Sequence, residues 1–253
     1  MIDIPDGDRI AGVVDPHPAV VRDRLRQDAE RLGCIINNGK TLLAAPLPLD
    51  MGNGLKATIV GPLKEQLEAL QQEWDKEIKK KQHASAKDHA AAIAAYVDTS
   101  VPNLSSIVVL AELDGKRILL TGDARGDFIM TGLEEAKALD HGKLHLDVLK
   151  VPHHGSERDL EEDFFRRITA DHYVISANGK YDNPDASTLD MIAKARGKDD
   201  FTIHLTNHDG ENDLKKKLDH FIADAKAAGG KFEVAFLTPG EPIKIELGDP
   251  LGF

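Results

Sequence analysis

The sequence is short of several things, and each shortage removes a class of protein. Cys34 is the only cysteine in 253 residues, which excludes a disulfide framework and a thiolate metal cage and fits a reducing compartment. No apolar run approaches the roughly 20 residues that cross a bilayer. The first residues, Met1 to Asp8, lack a basic segment followed by an apolar one, so no secretory signal is read and a cytoplasmic location is expected. Basic residues are outnumbered, 32 Lys and Arg against 43 Asp and Glu. The resulting net charge of -11 argues against a broad electrostatic grip on nucleic acid, whose affinity comes mainly from neutralising phosphates. Nucleic acid then enters only as a substrate, through a local metal centre that neutralises one phosphate.

What is present suits a packed domain: 41% hydrophobic and 30% charged residues. Val20, Val21, Leu25, Ala29 and Leu32 recur at helical spacing, and Gly33 ends that helix. Thr41–Ala45 and Leu55–Val60 read as strands around a turn, Pro46 to Gly54. Leu63, Leu67, Leu70 and Trp74 open a helix that continues into a basic, alanine-rich stretch, a charged helical excursion over about residues 63–98. Trp74 reads as helix packing and Cys34 as a buried small residue.

From residue 104 strands and helices alternate. Strands are expected at 104–113, 117–120, 146–151, 173–176, 201–205, 232–237 and 243–247, with an Asp114-Gly115 hairpin turn between the first two. Helices are expected at 133–139, 160–168, 187–195 and 214–227. The class is α/β, in one domain over residues 1–253.

Three short segments sit where strands should end: Thr121-Gly122-Asp123-Ala124, Val151-Pro152-His153-His154-Gly155-Ser156 and Ser176-Ala177-Asn178. In open α/β sheets ligands gather beyond the carboxyl ends of strands. A carboxylate and an imidazole delivered to neighbouring strand ends can share a metal, since neutral His suits zinc and its neighbours and Asp can bridge two ions. A Gly-Asp pair or a His-His pair alone is a weak signal. Gly-Asp-Ala after one strand and Pro-His-His-Gly-Ser after another, about 30 residues later, are together much more specific.

The combination resembles the metallo-β-lactamase-fold hydrolases, in particular the branch resembling the hydrolase domain of bacterial DNA-uptake channel proteins. The residues that carry it are Leu119-Leu120-Thr121-Gly122-Asp123, then Asp147-Val148-Leu149-Lys150-Val151-Pro152-His153-His154-Gly155-Ser156. Pro102-Asn103-Leu104-Ser105-Ser106, Ser176-Ala177-Asn178 and the Asn183-Pro184 turn fit the same pattern, so the match is best over about residues 100–206.

The resemblance implies an αββα sandwich and a hydrolase in which a hydroxide held between two divalent metals, zinc more than manganese, attacks an ester or phosphodiester. It makes Asp123 the metal-bridging aspartate and His154 a metal ligand, the two catalytic candidates. His153 would support a metal ligand or face substrate, although the two histidines could exchange roles and His153 would then be the metal ligand. Asn103 would lie near metals or substrate, Asp147 would orient a ligand, and Ser156 would contact substrate oxygen or cap the next helix.

The family's principal motif, His-x-His-x-Asp-His, is not found among the 11 histidines. Asp6-Gly7-Asp8-Arg9 reads as an acidic loop, His141 and His145 as surface, and His204 and His208 as loop residues beside a strand end. The chain is therefore expected to lack much of the N-terminal half of the fold, as a fragment, a split enzyme or a decayed copy. An N-terminal half or a second copy would complete the site. The alternative is a catalytically inactive module that binds partners.

Overall fold

The computed structural model describes residues 42–69, 72, 105–238 and 240–248. The helix expected at 20–32, most of the charged excursion and Asn103 lie outside them. Residues 42–253 form one unit.

Among the described residues eight strands make one mixed sheet in chain order: β1 (Leu49–Asp50), β2 (Lys56–Gly61), β3 (Val108–Leu113), β4 (Lys116–Leu120), β5 (Leu144–Lys150), β6 (Ile168–Ile175), β7 (Phe201–Leu205) and β8 (Phe232–Phe236). β1 to β4 pair antiparallel and β4 to β8 pair parallel. Asp114 (φ 49°) and Gly115 (φ 77°) turn the β3–β4 hairpin, and Asp-Gly tolerates the left-handed pair that such a turn needs.

Each parallel step crosses over through a helix: α1 (Gly126–Glu135), α2 (Glu162–Arg167), α3 (Ala186–Arg196) and α4 (Leu214–Ala227). Right-handed crossovers taken in one direction put their helices on one face of a sheet. Consecutive helices accordingly pack against one another.

The core follows from the register. Leu110, Leu119, Leu149, Tyr173 and Ile203 are cross-strand neighbours in a single row across β3 to β7, and each is at most 2% exposed. Burial of one such side chain is worth about 1.5–3 kcal/mol. The alternate row, Ile118, Val148, His172 and Thr202, is less completely covered, and Leu120 is half exposed.

Three expectations need correction. Residues 42–45 form no strand. Ala45 N–H does donate to the Ile59 carbonyl (2.9 Å), but Pro46 and Pro48 carry no N–H to continue a ladder. Residues 243–247 form no strand either, despite their alternation, and none of the described strands pairs with them. The helix expected at 133–139 instead begins at Gly126, because Ile129, Met130 and Leu133 form its buried stripe. It stops at Glu135, before Lys137 turns left-handed (φ 55°).

Tyr173 gives the core a pH signature. It is fully buried, the Ala170 N–H donates to its Oη (3.0 Å), and burial pushes its phenol up to about 12. The unfolded chain ionises this phenol near pH 10, so the folded state holds the proton more tightly between the two values. Its contribution is intact below pH 10 and is lost as pH rises towards 12, by about 3 kcal/mol in total. Urea unfolding at pH 9 and pH 11.5 is expected to show this fall, and Tyr173→Phe to remove that part of it.

Candidate metal centre

β4 and β5 run parallel as neighbours, so their carboxyl ends place residues 121–123 beside residues 151–154. Several bonds tie the two ends together. Thr121 Oγ1 donates to the Lys150 carbonyl (2.7 Å), and the His153 N–H donates to the Gly122 carbonyl (3.2 Å). The Asp123 N–H donates to Ser106 Oγ (3.1 Å), just before β3. Gly122 sits at φ 54°, where an added Cβ would lie 3.0 Å from Ser106 Cβ, so the turn requires glycine for both its conformation and its closeness to Ser106.

The two histidines follow Pro152 in a tight turn with consecutive left-handed backbones, φ 45° at His153 and 57° at His154. Such conformations are uncommon for residues with side chains and persist where the surroundings fix them. Here the turn sends the two rings apart, their centroids 6.3 Å from one another. His154 Nδ1 lies 2.5 Å from the Ser176 carbonyl, and its Nε2 lies 3.5 Å from Asp123 Oδ1. A carbonyl oxygen only accepts, so Nδ1 carries the proton and the Nε2 of a neutral ring presents a lone pair towards the carboxylate. Two lone pairs facing each other call for a cation or a proton between them.

The separation suits an ion. One oxygen and one nitrogen each about 2.0–2.1 Å from a tetrahedral zinc stand about 3.3 Å apart. A catalytic zinc, however, usually takes three protein ligands. Among the described residues no group of three or more His, Cys, Asp and Glu side chains is placed to hold a metal. Asp123 and His154 bring together two donor atoms, fewer than such a site takes.

The other expected residues fall as follows. His153 shares the turn, which carries its ring away from that of His154. Asp147 lies near the middle of β5, where its carboxylate accepts from the Arg117 N–H (2.8 Å) and Lys116 Nζ (3.0 Å) of β4 rather than from either histidine. Partial burial would raise its pKa, but those bonds outweigh it and hold the carboxyl below its usual range. Ser156 is buried and stands at the cap position of a short turn of helix, Glu157–Asp159, yet it makes no side-chain capping bond. Its backbone N–H donates to the His153 carbonyl (3.0 Å), which closes the histidine turn.

Sequence reading did not single out Lys150, whose Nζ donates to the Gly122 carbonyl (2.6 Å) and lies 3.8 Å from Asp123 Oδ1. The strand-end segment Ser176–Asn178 and Asn183, both read from the sequence, line a cleft of about 330 Å³ beside His154, together with Lys180, Tyr181 and Asn207, which the sequence did not single out. Asn207 Nδ2 donates to the Ala177 carbonyl (2.8 Å), and Asn212 Nδ2 donates to the Gly179 carbonyl (2.8 Å), so carboxamides brace the cleft loop. Tyr181 is 77% exposed with Lys180 Nζ 5.5 Å from its ring centroid. His204 and His208 do not line this cleft: His204 Nε2 meets His172 Nδ1 (3.1 Å), and His208 meets Asp219 (3.0 Å).

No protein-family model matches the chain. A stretch of 99 residues, 38% of this chain, is 31% identical to ComE operon protein 3 of Bacillus subtilis (strain 168). That match covers 12% of the relative's own length. Among the described residues no helix is long and apolar enough to cross a membrane. The chain is an α/β protein with a mixed eight-stranded sheet among its described residues, and it shares a partial similarity with that relative.

Proposed function

We propose that this chain carries part of the metal centre of a metallo-β-lactamase-like hydrolase acting on an ester or phosphodiester. The observation that carries the reading is the orientation of His154: Nδ1–H held by the Ser176 carbonyl, Nε2 aimed at Asp123 Oδ1 at 3.5 Å. A hydrogen bond on one ring nitrogen that fixes the other for metal is the usual arrangement for ligating histidine. The sequence resemblance around Asp123 and His154 supports the same reading. A sheet with helices packed along it would be half of an αββα sandwich, and the half-buried Ile118, His172 and Thr202 would lie where a second sheet packs.

Imidazole beside carboxylate favours zinc, with manganese the second choice. Bound there, the ion would supply activated water and polarise the substrate oxygen. Asp123 and His154 would hold it, and the Ser176 carbonyl would keep the imidazole in register. The adjoining cleft would seat the substrate, with the Lys180 ammonium suited to a phosphate oxygen. Donors still needed would come from residues outside the described set or from another chain, an N-terminal half or a second copy.

The test is hydrolysis of bis(p-nitrophenyl) phosphate and p-nitrophenyl acetate by the full chain supplied with zinc or manganese. Metal-dependent turnover that Asp123→Asn abolishes is expected; turnover that ignores this substitution would sink the assignment. A second reading, a catalytically inactive module that binds partners, is favoured by one observation: only two donors come together among the described residues. Absence of turnover with either metal would select it.

A further inference from the structure

Lys150 is the last residue of β5, and its side chain is only 21% exposed. A lysine at the end of a strand ordinarily carries its ammonium out to water. This one turns back. Its Nζ donates to the Gly122 carbonyl at 2.6 Å and lies 3.8 Å from Asp123 Oδ1. Burial pushes the ammonium's pKa down, and the Asp123 charge only partly offsets this. Its register neighbour on β6 is Val174, while its head reaches the turn after β4.

We propose that Lys150 is a built-in competitor of the metal: a tethered cation that holds Asp123 and Gly122 in place and weakens the half-site's grip on a divalent ion. The inference rests on the reading of Asp123 and His154 as metal ligands. An ion between Asp123 Oδ1 and His154 Nε2 would lie within a few ångströms of the ammonium. Like charges at that range, partly shielded from water, repel more strongly than they do in bulk solvent. The same contact gives Asp123 a counter-charge when no ion is bound. Lys150 is thus a positioning residue that sets affinity by charge.

The test is a charge series at this position, read by calorimetric titration of the full chain with Zn²⁺ and by the visible absorption of bound Co²⁺. Lys150→Met keeps the apolar stem and removes the charge, Lys150→Gln does the same with a polar head, and Lys150→Arg keeps the charge. Met and Gln variants are expected to bind about tenfold more tightly than the parent, and Arg to match it. Circular dichroism checks that each variant is folded, and the Gln variant serves if the Met variant is not. Gained binding in Met or Gln where the parent binds none also supports the proposal. Equal or weaker binding in Met and Gln, or tightening by Arg as well, overturns it. Metal binding in the parent that needs Asp123 and His154 but ignores Lys150 overturns this inference alone. No binding in any of the chains overturns it together with the reading on which it rests.

Discussion

Replacing Asp123 and His154 together by alanine is expected to lower divalent-metal affinity at least about a hundredfold while leaving the fold intact. Residues that merely support a metal ligand are worth about 10–100-fold in affinity, and direct ligands are worth no less. The structure explains why stability should be spared. Both side chains are partly exposed, at 35% and 45%, and neither belongs to the buried core. Surface substitutions that leave caps and cores untouched usually stay within about 0.5 kcal/mol. Equilibrium dialysis against Zn²⁺, followed by elemental analysis, measures the first effect, and urea unfolding measures the second. Undiminished metal binding in the double variant would remove both residues from the site.

A large stability loss is expected from Gly132→Ala, far from that site. Gly132 lies in α1 where the helix meets β2, and an added Cβ would fall 1.9 Å from the Val60 carbonyl oxygen and 2.9 Å from its Cγ1. Val60 is itself fully buried inside its strand. Alanine is the best helix former, so a surface glycine replaced this way should stabilise by up to about 1 kcal/mol. Here the opposing atom is backbone and cannot rotate away, so helix and sheet must separate. Overpacking ordinarily costs about 1–3 kcal/mol, and a backbone clash this deep is expected to exceed that range. Thermal melting of Gly132→Ala beside an exposed control, Gly229→Ala, checks it. Gly229 meets nothing within 4 Å but sits at φ 84°, so its cost should be confined to backbone strain. A Gly132→Ala melting point equal to the control's would contradict the packing described for α1.

The elements most legible in the sequence were those with an unbroken period. Strand 201–205 and helix 214–227 lie where alternation and helical spacing place them, because each has one buried face and clear ends. The early start of α1 was hidden because its first turn, Gly126-Asp127-Phe128, reads locally as a turn, and tertiary burial of Ile129 and Met130 decides the matter. β1 lay within a stretch read as a turn because it is two exposed residues long and defined only by pairing with β2.

The centre shows the same division. The meeting of Asp123 and His154 was legible because both stand directly after strands, and parallel pairing of β4 with β5 brings those ends together. Lys150 sat in plain view in the same motif, but its contact with Gly122 depends on a side chain folding back onto a turn from another strand. The cleft residues Lys180, Tyr181 and Asn207 were illegible for a related reason. They come from two loops that meet only because β6 and β7 pair, and common polar residues carry no spacing signal.

One divalent ion shared by Asp123 and His154 is central to the proposed function. Crystals of the full chain soaked in zinc, with anomalous scattering recorded on both sides of the zinc edge, test this most directly. An anomalous peak is expected about 2 Å from both Asp123 Oδ1 and His154 Nε2. Zinc that binds elsewhere, or a hydrogen bond from His154 Nε2 to Asp123 that persists with no peak at saturating zinc, would contradict it.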